Sequence, residues 1–253
     1  MSDKIIRLED VSHSFGPVEV LRDLRLEVER GEFVAVVGPS GCGKTTLLNI
    51  LSGFYKPRSG KVFKAGASRV VHQQDGLFPW LTAAENIALG LRGERDRAKR
   101  DHQVAEMIRL IRLEGFLHHY PHQLSGGMRQ RVELARALVG ESDVLLMDEP
   151  FSALDYQTRL HMRRELVRVL SQKPRTVVFV THDIEEAAQL ADRVLTLSDR
   201  PASVNHELCF DLQRPRDPTH PAVIGAIDRI LKQLGLRDGF PPDTLLRPSG
   251  SVP

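Results

Sequence analysis

Residues 33–45 read F-V-A-V-V-G-P-S-G-C-G-K-T. The first five are apolar and valine-rich, the composition of a short strand buried on both faces. A helical pattern opens at Lys44 and runs to about Ser52, so the glycine-rich run Gly38–Thr45 joins a strand to a helix. That is the context a phosphate-binding P-loop needs. Glycines let the backbone turn so that successive N–H groups point inward at phosphate oxygens. The helix beneath adds the positive end of its dipole. Lys44 is placed to reach the β- and γ-phosphates of a nucleotide, and Thr45 to set its hydroxyl on Mg²⁺. Cys42 lies inside the loop and reads either as a small filler or as a redox-responsive thiol.

Two further apolar runs end in chemistry. Val144–Met147 (V-L-L-M) leads into Asp148-Glu149. A carboxylate at a strand end beside a phosphate loop is a natural ligand for Mg²⁺ through water, which assigns Asp148 to the metal. The next carboxylate, Glu149, is the candidate general base that polarises the attacking water. Val177–Val180 leads into Thr181-His182-Asp183. His182 stands at a strand end on the same sheet edge, within conceivable reach of a γ-phosphate, although a lone histidine is more often structural. Asp183 with Glu186 has the spacing of a capping box.

Leu124–Arg131 (L-S-G-G-M-R-Q-R) sets Ser125 and two glycines in front of a strong helical pattern running to Val139. This is a second phosphate-type helix start. One site does not need two such cradles, so one of them serves a neighbouring molecule.

The remaining pattern is of strands alternating with helices, expected at about residues 97–113, 156–171 and 183–191. It implies an α/β fold with a mostly parallel sheet. Residues 5–29 read instead as short antiparallel strands with turns. Three prolines in Arg214–Pro221 suggest a linker, followed by a helix from about Ala222 to Leu234 with Ile224, Ile227, Leu231 and Leu234 on one face. The expected division is therefore a catalytic domain at 1–210 and a tail at 211–253.

The 253 residues carry 41% hydrophobic side chains and a formal charge of +2, from 35 Lys plus Arg against 33 Asp plus Glu. That balance argues against wrapping nucleic acid. Two cysteines, Cys42 and Cys209, do not make a disulfide framework and fit a reducing compartment. The charged start, M-S-D-K-I-I-R-L-E-D, holds no leader core, and no apolar run approaches the length of a membrane span. The expectation is a soluble chain that relies on another subunit if it acts at a membrane.

Taken together, the P-loop, the V-L-L-M-D-E-P segment and L-S-G-G-M-R-Q-R resemble the nucleotide-binding subunits of ABC transporters over residues 4–200 or so. The resemblance implies a P-loop NTPase core of the ABC ATPase type, with an N-terminal antiparallel β part and a helical subdomain. It implies ATP and Mg²⁺ as ligands. Contacts to the nucleotide would come from Gly38, Pro39, Ser40, Gly41, Cys42, Gly43, Lys44, Thr45 and Thr46. The Ser125, Gly126 and Gly127 segment and Asp155 of the S-A-L-D run would add to them. Phe15 sits where the family stacks an aromatic ring, usually Tyr, on adenine; Phe keeps the face and loses only the hydroxyl. Gln73 resembles the glutamine that touches Mg²⁺ and the water, with Glu149 as base and His182 as the switch histidine. Thr45, Gln73 and Asp148 would hold the metal.

The resemblance also implies a head-to-tail dimer, because one chain carries one P-loop and one L-S-G-G-M. Two ATP molecules would lie between the copies, and closure would drive transmembrane permease subunits, with a substrate-binding protein engaged only indirectly. The place would be the cytoplasmic face of the membrane, peripherally attached. L-F-P-W-L-T at Leu77–Thr82, T-H-D-I-E-E-A and the late R-P-R-D are similar to importers of nitrate, aliphatic sulfonates and taurine, closest to taurine importers. Phe78 and Trp80 in that stretch read either as core or as part of the surface where the permease docks. His72, where Phe is common, and the short stretch from Gly60 to Gln73 depart from that branch. His118, His119 and His122 lack carboxylates or cysteines at ligand spacing and read as an exposed helix end. A GTPase is disfavoured because no Asn-Lys pair occurs for reading guanine. A DNA- or ribosome-directed ABC ATPase is disfavoured by the charge balance and the single cassette. An exporter motor is disfavoured because exporters more often fuse this domain to membrane helices.

Overall fold

The computed structural model describes residues 3–72, 76–214 and 216–236. The chain opens with two long antiparallel strands, β1 (Lys4–Phe15) and β2 (Val18–Glu29), joined by a turn at Gly16-Pro17. The short strands expected here are thus two continuous twelve-residue strands. The residues that suggest breaks are absorbed as bulges. Asp10 (φ 50°) and Asp23 (φ 46°) adopt left-handed backbone, and the pairing register shifts between Leu8 and Val11. Asp is among the few side chains that accept this conformation.

Next come β3 (Phe33–Val37), α1 (Lys44–Ser52), β4 (Ser59–Lys64) and β5 (Ser68–Val71). A helical stretch follows with α2 (Ala83–Ala88), α3 (Arg97–Leu110) and α4 (Gly126–Val139). The chain then alternates: β6 (Val144–Asp148), α5 (Tyr156–Gln172), β7 (Thr176–Val180), α6 (Ile184–Leu190), β8 (Arg193–Leu197). It closes with β9 (Val204–Cys209) and α7 (Pro221–Gln233).

Two sheets result. β2-β1-β4 is antiparallel, and β5-β6-β7-β3-β8-β9 is parallel apart from the β8–β9 pair. β3, β6 and β7 are buried at every position. Their two-residue period sends alternate side chains into different core layers. Val34, Val36, Val144, Leu146, Val178 and Val180 join the layer under β1, β2 and α1. Phe33, Ala35, Leu145, Met147, Val177 and Phe179 join the layer shared with α4 and α5. In that second layer the Phe33, Phe179 and Phe151 rings stand in a row, with centroids 5.6 and 5.9 Å apart. Burying each such ring stabilises the fold by roughly 1.5–3 kcal/mol.

α3 stops at Leu110, short of the expected Leu113. Arg112 is left-handed (φ 55°) and the Leu113 N–H reaches back to the Ile108 carbonyl (3.0 Å), a helix stop that also buries Leu113. α7 packs on α6 through Val223, Ala226 and Ile230. The buried seam is therefore one residue earlier than the Ile224 face read from spacing, and Ile224 points to solvent. Ala226, with Ala187 and Ala188 on α6, leaves room for the two helices to approach closely.

Candidate active site at the carboxyl edge of the parallel sheet

The phosphate-type loop leaves β3 at Gly38 and passes beneath β2 into α1. Gly43, which caps α1, has φ 123°, and a Cβ there would lie 2.8 Å from Val20 Cγ1 and 2.9 Å from Leu21 Cδ2. Only glycine fits both the backbone and the space. Gly41 is also left-handed (φ 73°). Lys44 is 7% exposed and its Nζ donates to the carbonyls of Gly38 (2.8 Å) and Pro39 (2.9 Å), so its charge sits inside the loop. Thr45 is exposed and Thr46 half-buried. Cys42 is buried, and burial pushes its thiol above the ordinary range. A thiol held protonated is a poor nucleophile, which favours the filler reading.

The two acids stand across from this loop. Asp148 ends β6 opposite Val180 of β7 and is 4% exposed. Burial pushes its carboxyl up, and the Glu149 charge adds to that; a hydrogen bond from Thr45 and the nearby His72 and Lys44 pull it down. Its Oδ1 is buried without a hydrogen-bond partner. A buried carboxylate oxygen in that condition suits a cation or a cation-bound water. Glu149 follows in left-handed backbone, φ 48°. Its N–H donates to the Val180 carbonyl (2.9 Å). Its own carbonyl accepts from Gln130 Nε2 (3.0 Å), Ser152 N (3.1 Å) and Ser152 Oγ (3.0 Å). Its Oε2 lies 3.1 Å from His182 Nδ1. Glu149 and His182, 33 positions apart in sequence, thus meet across neighbouring strand ends.

The segment carrying His182 is fixed from behind. The Thr181 hydroxyl donates to Glu186 Oε2 (2.8 Å), and Arg163 of α5 donates to Glu186 (2.7 Å) and Asp183 (2.9 Å). Burial pushes the Glu186 carboxyl up, and Arg163 opposes it. The expected capping box is half formed. Asp183 accepts from the Glu186 N–H (3.1 Å), but Glu186 turns to Arg163 and Thr181. The Asp183 N–H is satisfied by Thr181 Oγ1 instead (3.0 Å).

The second phosphate-type helix start is elsewhere. Ser125 caps α4 and accepts from the Met128 N–H (3.3 Å), with Gly126 exposed beside it. α1 packs on β4, β5, β6 and β7, whereas α4 packs on α2, α3 and β5. The two cradles therefore belong to different layers of the molecule. Asp155 caps α5 through the Thr158 N–H (3.0 Å), a bond that holds its carboxyl below the usual range. Phe15, at the end of β1, is 45% exposed. Gln73 lies outside the described residues. Phe78 and Trp80 are both exposed, with ring centroids 5.3 Å apart, which removes the core reading for this pair.

Three side chains that support the site are given no role by the motif reading, although Gln130 lies within the Leu124–Arg131 run. Gln130 is 4% exposed; besides holding the Glu149 carbonyl it accepts from the Ala153 N–H (2.9 Å). Glu133, one turn on, is fully buried and accepts from the backbone N–H groups of His72 (3.1 Å) and Gly76 (3.0 Å). Both are polar residues on the apolar face of an amphipathic helix, and that break in the stripe is their signal in the sequence. Arg200, in the turn after β8, brings its guanidinium against the loop, 3.0 Å from where a Cβ on Gly41 would lie. Nothing in the spacing marks it.

A lysine held within a glycine loop, a buried carboxylate with a free oxygen, and a glutamate paired with histidine at adjacent strand ends define a P-loop nucleotide hydrolase. Residues 21–152 match the family model described as ABC transporter. An aliphatic sulfonates import ATP-binding protein of Rhodococcus jostii is 46% identical over 215 residues, 83% of this chain and 84% of that protein. One from Bacillus thuringiensis subsp. konkukian is 39% identical over 240 residues, 90% of this chain and 95% of that protein. Among solved structures, a dimeric ATP-binding cassette in a post-hydrolysis state bound to ADP and Pi superposes with a TM-score of 0.74 at 32% identity. It is matched over its whole length by 82% of this chain. The chain belongs to the ABC transporter family as an ATP-binding subunit, and it is an ATP hydrolase.

Proposed function

We propose that this subunit hydrolyses Mg²⁺-bound ATP between two copies of itself and so drives a membrane importer of small anions or sulfonates, with alkanesulfonates first and taurine and nitrate as the alternatives. The observation that carries the hydrolytic part is the Glu149–His182 pair at 3.1 Å beside the unpartnered Asp148 oxygen. Lys44 and the N–H groups of Gly38, Ser40, Gly41, Cys42, Gly43, Thr45 and Thr46 hold the phosphates, with Pro39, which has no N–H, shaping the turn among them. Phe15 takes the adenine. Thr45, Asp148 and Gln73 hold Mg²⁺, directly or through water, and Mg²⁺ when bound neutralises charge on the β- and γ-phosphates. Glu149 takes the proton of the attacking water, and His182 holds the γ-phosphate side of the site. Ser125, Gly126, Gly127 and Asp155 of one copy close over the ATP of the other. In support, the α4 cradle lies in a different layer from the α1 cradle, and the solved relative is dimeric.

The catalytic unit is assigned to residues 1–210, with 211–253 as an appended tail. No helix among the described residues is long and apolar enough to cross a membrane. The chain then acts from the cytoplasmic face, beside permease subunits that do the spanning. The exposed Phe78–Trp80 pair is the part of the surface offered to them, and a substrate-binding protein is engaged only through the permease. The importer reading and its sulfonate class are supported by what the two relatives above are named for.

Uptake of labelled alkanesulfonate, taurine and nitrate, by cells with and without the gene, tests this. Loss of one uptake is expected, restored by the natural chain and not by Glu149→Gln. Unchanged uptake of all three would remove this branch of importers, leave the hydrolase, and send the search to other small nutrients.

A further inference from the structure

Three rings meet where the nucleotide base is expected. His13 and Phe15 are two residues apart on β1 and so share one face of the strand. Their centroids are 4.9 Å apart with planes at 81°. Tyr55 lies parallel to His13 at 5.6 Å, 17° between planes, and stands nearly perpendicular to Phe15 at 5.4 Å and 75°. Both His13 nitrogens are buried without a hydrogen-bond partner, so the imidazole serves here as a flat ring. Tyr55 is itself held. α1 stops at Gly53 (φ 85°), the Tyr55 N–H bonds the Asn49 carbonyl (3.0 Å), and the Arg58 N–H ties the segment to the Ser12 carbonyl of β1 (2.8 Å).

We propose that His13 and Tyr55 are positioning residues for the base: they fix the Phe15 ring so that its open face stacks on a purine. This rests on the reading of residues 38–45 as the ATP loop and of Phe15 as the stacking ring. A phenylalanine beside a hairpin turn, alone, would sample several rotamers. Two edge-to-face neighbours select one of them. Tyr55 also follows directly on α1, the helix whose first residues are Lys44 and Thr45. The base platform and the phosphate cradle are therefore built on the two ends of one element, and their spacing is set by its nine residues, about 13 Å of helix.

The test is steady-state ATP hydrolysis, with inorganic tripolyphosphate, which has no base, as competitive inhibitor. Tyr55→Ala and His13→Ala are expected to raise KM for ATP roughly three- to tenfold, with kcat falling less than about twofold. The tripolyphosphate inhibition constant should stay put, and Tyr55→Phe, which keeps the ring, should retain the natural KM. An unchanged KM in Tyr55→Ala would overturn the proposal. So would a parallel rise for ATP and tripolyphosphate, the mark of a general loosening of the fold. Phe15→Ala without effect on KM would overturn the underlying stacking assignment and the proposal with it.

Discussion

Glu149 sits in a backbone conformation that costs a non-glycine residue of order 1–3 kcal/mol, and four hydrogen bonds hold it there. One of them comes from Gln130, which also grips Ala153. Gln130→Ala removes that grip while leaving Lys44 and the loop untouched. Its expected effect is a fall in kcat of up to roughly 10²-fold with little change in KM for ATP, read from steady-state kinetics. Asp148 is the opposite case, a residue whose useful state is uncomfortable. Burial pushes its carboxyl above the ordinary 3.8, so the folded protein favours the protonated form more than the unfolded chain does. Above the folded pKa the ionised group costs stability, and the cost vanishes as pH falls below the unfolded value. Asp148→Asn should therefore melt higher than the natural protein at pH 7 without Mg²⁺ or nucleotide, by about 2–4 °C per kcal/mol recovered, and lose that advantage in acid. It should also lose hydrolysis. A lower Tm at pH 7 would contradict the reading of a strained buried charge.

At the scale of elements, much was legible because the physical signals were strong. The five apolar residues before Gly38 could be little else but a buried strand, and Lys44–Ser52 is a helix as read. The strand-end positions of the candidate site residues were legible for the same reason: a valine-rich run ending in polar residues marks where a buried strand emerges. What escaped was local backbone chemistry. Asp10 and Asp23 look like turn formers but are bulges inside long strands, and Arg112 ends α3 in a conformation usually left to glycine. Gln130 and Glu133 escaped because their partners are main-chain groups brought near only by the fold. The Phe33–Phe179–Phe151 row ties β3, β7 and the loop after Glu149 into one unit. Phe151 is fully buried two residues beyond Glu149. Phe151→Ala should cost about 3–5 kcal/mol in chemical denaturation, with a loss of kcat in the fraction that remains folded. A cost below about 1 kcal/mol would show that the loop does not depend on the row.

For the whole molecule, the order β5-β6-β7-β3-β8-β9 places β3 beside β7, and β7 beside β6. The loop after β3, Asp148-Glu149 after β6 and His182 after β7 therefore come together at one edge, although they span residues 38–182. Motif spacing names these residues and, through two cradles in one chain, leads to the expectation of a shared site; the topology adds that the two cradles lie in different layers. In the function proposed above, the other half is at Ser125, which the structure carries on the helical layer, and a second copy facing the first completes it. The most direct measurement is the molar mass in solution, by light scattering, of Glu149→Gln with and without saturating Mg·ATP. This variant should bind ATP and turn it over roughly 10²–10⁴-fold more slowly, so the closed state persists. A monomer near the 28.4 kDa chain mass without nucleotide, and twice that mass with it, is the expected result, with the shift abolished by adding Ser125→Arg. A variant that binds ATP yet remains at the single-chain mass would contradict a site shared between two copies.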